Sequence, residues 1–134
     1  MTSQDGTITT LDPRTGAADG GPIAIADDVD DVFISADAVW AVSLYGKTLA
    51  RIDPTTRRVA ATQRTPGEAS GVLAAAGSIW VSNYDLGTVT RFDPSTLALV
   101  KTYRVGTQPR GLAAAGGSVW VANQRSNSVS RITP

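Results

Sequence analysis

Short apolar runs, broken by glycine, proline and aspartate at regular places, set the rhythm of this chain. In the stretch 66–105 the pattern predicts four strands at 70–76, 78–83, 88–92 and 97–104. They are separated by Gly77, by Asp85-Leu86-Gly87 and by Asp93-Pro94-Ser95-Thr96, and Gly106 follows the last. The last of them carries Leu97, Leu99 and Val100. No segment sustains a 3.6-residue period, so the elements expected are strands throughout. Aspartate before proline and Ser/Thr predicts a turn with a mechanism. The carboxylate accepts from backbone N–H groups two residues on, while proline presets φ.

The same rhythm recurs. Tryptophan occurs three times, in Val39-Trp40, Ile79-Trp80 and Val119-Trp120, at a spacing of forty residues. In that register Gly77 falls on Gly117, Ser78 on Ser118, Val81 on Val121 and Asn83 on Asn123, and Arg51, Arg91 and Arg131 align. The run from Gly6 to Pro13 copies Gly87 to Pro94. The repeats are 26–65, 66–105 and 106–134, preceded by a partial repeat at 1–25. Four strands per forty residues is the signature of a propeller blade, so the expected fold is an all-β partial β-propeller of about three four-stranded blades in one domain. An open stack leaves an apolar face bare at each end. The chain is therefore expected to be part of a longer propeller, or to self-associate as a homodimer forming a roughly six-bladed ring. In such a ring 6–11 and 128–132 would compete for one place.

Composition removes chemistry rather than adding it. With 134 residues, twelve Lys+Arg against twelve Asp+Glu, and a net charge of zero, no field draws the chain to nucleic acid or to an anionic membrane. The absence of cysteine and histidine excludes disulfides, thiol nucleophiles, imidazole bases and the commonest transition-metal ligands. No apolar run reaches the roughly 20 residues of a spanning helix, and Met-Thr-Ser-Gln-Asp-Gly reads as no secretory signal.

The run from Gly111 to Asn123, continued by Asn127 to Ile132, resembles the bacterial YVTN-type and virginiamycin B lyase-like propeller repeats, and the resemblance covers nearly the whole chain. It implies the propeller fold and an extracytoplasmic location. Such repeats serve lyases, lactonase-like enzymes, sensor domains and binding proteins alike. The lyases work through histidines with a glutamate, and with no histidine here no catalytic residue carries over.

Four carboxylates in Asp27-Asp28-Val29-Asp30-Asp31 form the sharpest charge cluster, with Asp28 and Asp31 as candidate ligands for calcium or magnesium. The alternative is a solvated acidic loop before a strand, since the EF-hand spacing and its glycine are absent. The tryptophans are expected to pack between blades with their N–H groups satisfied locally. The aligned arginines are expected to lie across the neighbouring blade and bond turn carbonyls. In this fold the loops between blades share a face with the loops joining second and third strands. That face is expected to display Glu68 and Arg110 with the carboxylates, and Tyr45, Lys47, Asn83, Tyr84, Asp85, Asn123, Gln124 and Arg125.

Three functions follow. The first is a non-catalytic module, without cofactor, that recognises a protein, peptide or glycan through the loop face. The second is part of a lyase- or lactonase-like enzyme using Asp28, Asp31 and Glu68 with a divalent cation. The third is a structural, self-assembling fragment.

Overall fold

The computed structural model describes residues 4–134; residues 1–3, part of the opening segment read as no secretory signal, lie outside the described residues. Among the described residues thirteen strands fall into four antiparallel sheets. A two-stranded ribbon joins β1 (Thr7–Ile8) and β2 (Ile23–Ala24). The first full sheet is β3 (Asp31–Ile34), β4 (Val39–Ser43), β5 (Thr48–Asp53) and β6 (Arg58–Arg64). The second is β7 (Ala69–Ala75), β8 (Ser78–Asn83), β9 (Thr88–Phe92) and β10 (Leu99–Arg104). The third sheet is three-stranded, β11 (Pro109–Ala115), β12 (Ser118–Asn123) and β13 (Ser128–Ile132). Each sheet is an up-and-down meander, and there is no helix among the described residues.

Blade-to-blade packing makes the core. Trp40 packs with Val72, Ile79, Val81 and Phe92 of the next sheet, and Trp80 with Val119, Val121 and Ile132 of the one after. Burial falls from complete to partial where the stack stops: Trp40 is 2% and Trp80 0% exposed, while Trp120, with no sheet beyond it, is 38% exposed. The tryptophan N–H groups are satisfied locally. Those of Trp80 and Trp120 donate to the Ala75 and Ala115 carbonyls, and that of Trp40 to the Ser35 hydroxyl.

The arginines do something other than the sequence led us to expect. Each stands directly across from the tryptophan of its own blade, as Trp40–Arg51, Trp80–Arg91 and Trp120–Arg131. The guanidinium lies over the indole at 5.8, 5.6 and 5.5 Å respectively. Arg91 and Arg131 donate from Nε to the Ser78 and Ser118 hydroxyls, not to turn carbonyls. The cross-strand register brings these partners within reach on the same sheet, where the π-face attracts the cation.

The Asp-Pro turns behave as their chemistry dictates. Asp12, Asp53 and Asp93 each accept through Oδ1 from the N–H groups two and three residues on, and the chain closes with Gly16, Arg57 and Leu97 donating to the aspartate carbonyls. Leu97 therefore belongs to the turn, at φ 59°, and β10 starts at Leu99, two residues later than the hydrophobic pattern indicated.

Two outcomes follow. Trp80→Ala should lower the unfolding free energy by about 3–5 kcal/mol, the range for a large buried aromatic. Ser78→Ala should lower it by about 0.5–1.5 kcal/mol through one lost hydrogen bond; urea titration separates them. The N–H groups of Thr56 and Thr55 hold the Asp53 carboxyl below its ordinary range, and those of Thr96 and Ser95 do the same for Asp93. A depressed folded-state value gives stability that is present above the unfolded value of about 3.9 and lost as pH falls below it. The double substitution Asp53→Asn with Asp93→Asn should therefore flatten the acid limb of a thermal-stability profile.

Candidate functional site

The blade-to-blade loops and the second-to-third-strand hairpins do share one face. Tyr84 N–H donates to the Glu68 carbonyl at 2.7 Å, and Gln124 N–H to the Gln108 carbonyl at 2.9 Å. In the first blade the Asp28 carboxylate makes this junction, accepting from the Ser43 hydroxyl and from the N–H groups of Leu44, Tyr45 and Gly46. Asp31 is also engaged: Oδ1 accepts from Val32 N–H and Oδ2 from Val72 N–H of the next blade at 3.0 Å. Both carboxylates thus serve as acceptors within the fold. Among the described residues no group of three or more carboxylates is arranged to hold a cation.

The site builds around Asp30, a member of the acidic cluster that the sequence did not single out from its neighbours. Forty-residue register makes Asp30, Ser70 and Arg110 one position on three blades. The first and last meet, with Arg110 3.6 Å from the Asp30 carboxylate and its guanidinium 5.5 Å from the centre of the Tyr84 ring. One arginine on β11 therefore ties together groups from all three blades. Burial raises the Asp30 carboxyl above its ordinary value; Arg110 pulls it back down, and Asp28 and Asp31 push it up. Beside this pair a cleft of about 480 Å³ is lined by Asp27, Asp28, Asp30, Leu44, Tyr45 and Arg110, among others. Ser70, at the same position in the middle blade, is buried and donates to the Pro109 carbonyl.

The other candidates divide into exposed groups and framework. Tyr45 is 73% exposed, and Asp85, Gln124 and Arg125 are exposed too. Lys47 lies 3.6 Å from Asp85, linking the first two blades, and the Glu68 side chain is half-buried beside them. Asn83 and Asn123 are buried. Their amides donate to Thr88 and Thr90, and to Ser128 and Ser130, so these two asparagines hold the hairpins that carry the exposed groups.

The two asparagines differ in one atom. Asn123 Oδ1 accepts from Gly106 N–H at 3.1 Å, whereas Asn83 Oδ1 is buried without a hydrogen-bond partner among the described residues. The residue at the Gly106 position in the second blade is Pro66, which has no N–H to give.

No protein-family model matches the chain, and no curated protein matches it by sequence. In structure it is similar to the computationally designed Ika4 protein, with a TM-score of 0.83 and 15% identity over 98% of this chain and 82% of that one. It is similar to hydrazine synthase of Kuenenia stuttgartiensis, with a TM-score of 0.84 and 13% identity over 96% of this chain and 40% of that one. A chain of the mitotic checkpoint complex gives 0.82 and 15% over 97% and 43%. The chain thus spans about two fifths of the length of the last two, and at these identities the shared property is the β-propeller fold.

Pro66→Ala would return the missing donor while keeping a Cβ. Satisfying a buried acceptor gives about 1–3 kcal/mol, against about 0.4–1 kcal/mol for releasing the proline constraint on the unfolded chain. A higher midpoint of urea unfolding is the expected result.

Proposed function

We propose that this chain is a non-catalytic interaction module that recognises a protein, peptide or glycan through its loop face, within a ring completed by a second copy or by further blades. One observation carries the reading. On superposable blade frameworks, single positions hold chemically unlike side chains: Asp30, Ser70 and Arg110 at one, Tyr45, Asp85 and Arg125 at another. A fixed scaffold with varied loop chemistry is what recognition requires. Exposed Tyr45 beside the cleft offers an amphipathic anchor of the kind that dominates binding energy. The propeller neighbours support an interaction or structural role at the level of fold. The resemblance to YVTN-type and virginiamycin B lyase-like repeats is compatible with it, because those repeats include binding proteins. The metal-dependent alternative loses support from the way Asp28 and Asp31 are already occupied as hydrogen-bond acceptors.

The test is a screen of the purified chain against peptide and glycan arrays, followed by titration of each hit. Tyr45→Ala should weaken a genuine loop-face ligand by at least about thirtyfold, the effect of a hot-spot truncation near 2 kcal/mol. Arg125→Ala should have a smaller effect if its partner lies at the rim. A hit whose affinity survives Tyr45→Ala, Arg110→Ala and Arg125→Ala together would place binding elsewhere and overturn the proposal.

A further inference from the structure

We infer that the outer edge of β13 is the docking site for strand β2 of a second copy of this chain, and that the two copies exchange these strands to close a six-bladed ring. This deepens the ring-completion part of the reading above and does not depend on what the loop face binds.

The last blade carries an apolar surface that lacks its cover. Val129 on β13 is 67% exposed and Trp120 beside it 38%, whereas their equivalents one blade earlier, Val89 and Trp80, are fully buried. In that earlier blade the next sheet packs on both through Val119, Val121 and Ile132, and the fourth strand closes the sheet, Tyr103 standing opposite Val89 and its ring 5.6 Å from that of Trp80. Among the described residues no strand pairs with β13 on its outer side in the last sheet.

Strand β2 has the register for that place. It is a fourth strand already, with Ile23 opposite Ile8 and Ala24 opposite Thr7 of β1. By the repeat, Thr7 and Ile8 occupy the positions of Ser128 and Val129, so β1 and β13 are the same strand of the blade and present the same pairing edge. Moved onto β13, β2 sets Ile23 opposite Val129, where Tyr103 stands in the second blade. The chain then runs directly from β2 into β3, as it runs from β10 into β11, so the second copy's first blade follows as the next blade of the ring. Its inner face, built on Ala41, Ala50 and Ile52, is in the single copy packed by Ile8 of β1 together with Ile23 of β2 and Ile25. Val129 and Trp120 take that contact over.

The competition between β1 and β13 has a physical winner. β13 is fastened to β12 by five residue pairs and by Arg131, which lies on Trp120 and bonds Ser118. β1 is held to β2 by two residue pairs, and the chain after it has Thr10 where β13 has its arginine. Exchange displaces the weaker strand. It retains β2 to β13 from each copy, so two copies supply six complete four-stranded blades.

Light scattering on the full chain should give about twice 13.9 kDa. The chain has no cysteine, so Ile23→Cys with Val129→Cys introduces a unique pair, which in one copy is separated by the whole stack of blades. Oxidation should convert that variant to a covalent dimer on a non-reducing gel, and Val129→Asp should reduce the mass to that of one chain with its circular dichroism unchanged. Removing residues 1–13, which deletes β1, should leave the dimer intact. A monomeric full chain, a dimer that survives Val129→Asp, a dimer whose paired cysteines do not cross-link, or a monomer after deletion of β1 would each overturn the exchange. None of these outcomes bears on array binding by the loop face.

Discussion

Trp40 and Trp80 are each held from two sides. An arginine of the same blade lies on one side of the indole, and the aliphatic face of the next blade receives the other. Each blade is too thin to shield its own apolar residues, so its stability is a property of the pair it forms with its neighbour. The guanidinium itself lies over the indole ring, so the cation is held by the π-face at the edge of the interface. Everything on the loop face is positioned by this repeated contact, because it fixes how far one blade is rotated from the next.

Polar links between blades refine that rotation. Ser70 and Ser82 of the second blade donate to the Pro109 and Arg110 carbonyls of the third, and Asp31 of the first accepts from Val72 of the second. Apart from Ser82 on β8, the groups in these links belong to the first strand of each blade, β3, β7 and β11. Gly71 belongs to the same arrangement: a Cβ there would stand 2.1 Å from the Arg110 carbonyl oxygen. Arg110 can reach both Asp30 and Tyr84 because its own backbone is clamped by its neighbour.

The features legible in the sequence are those each blade must repeat. Tryptophan, its arginine and the Asp-Pro turn recur at forty-residue spacing, and from them the sheets and the packing of Trp40 and Trp80 between blades could be read. Features created by one blade meeting another were harder to see. The Asp30–Arg110 pair joins residues eighty positions apart, and only their shared place in the repeat hinted at it. The use of Asp28 as a cap for three backbone N–H groups, and the burial of Asn83 and Asn123, depend on how a loop folds over a hairpin. Hydrophobic pattern carries no record of that. The arginines fall between these cases, since their recurrence was plain but their direction was set by cross-strand register.

The Asp-Pro turn is entirely local: a carboxylate, two N–H groups and a left-handed residue within five positions, needing no other blade. A hairpin that can form before its neighbours exist gives an elongating chain something to keep. Sheets dominated by distant pairings fold slowly because loop closure precedes any reward. Here each meander closes over short loops, and a completed blade then offers its tryptophan to the next. The order of synthesis and the order of assembly can therefore run in the same direction along the chain.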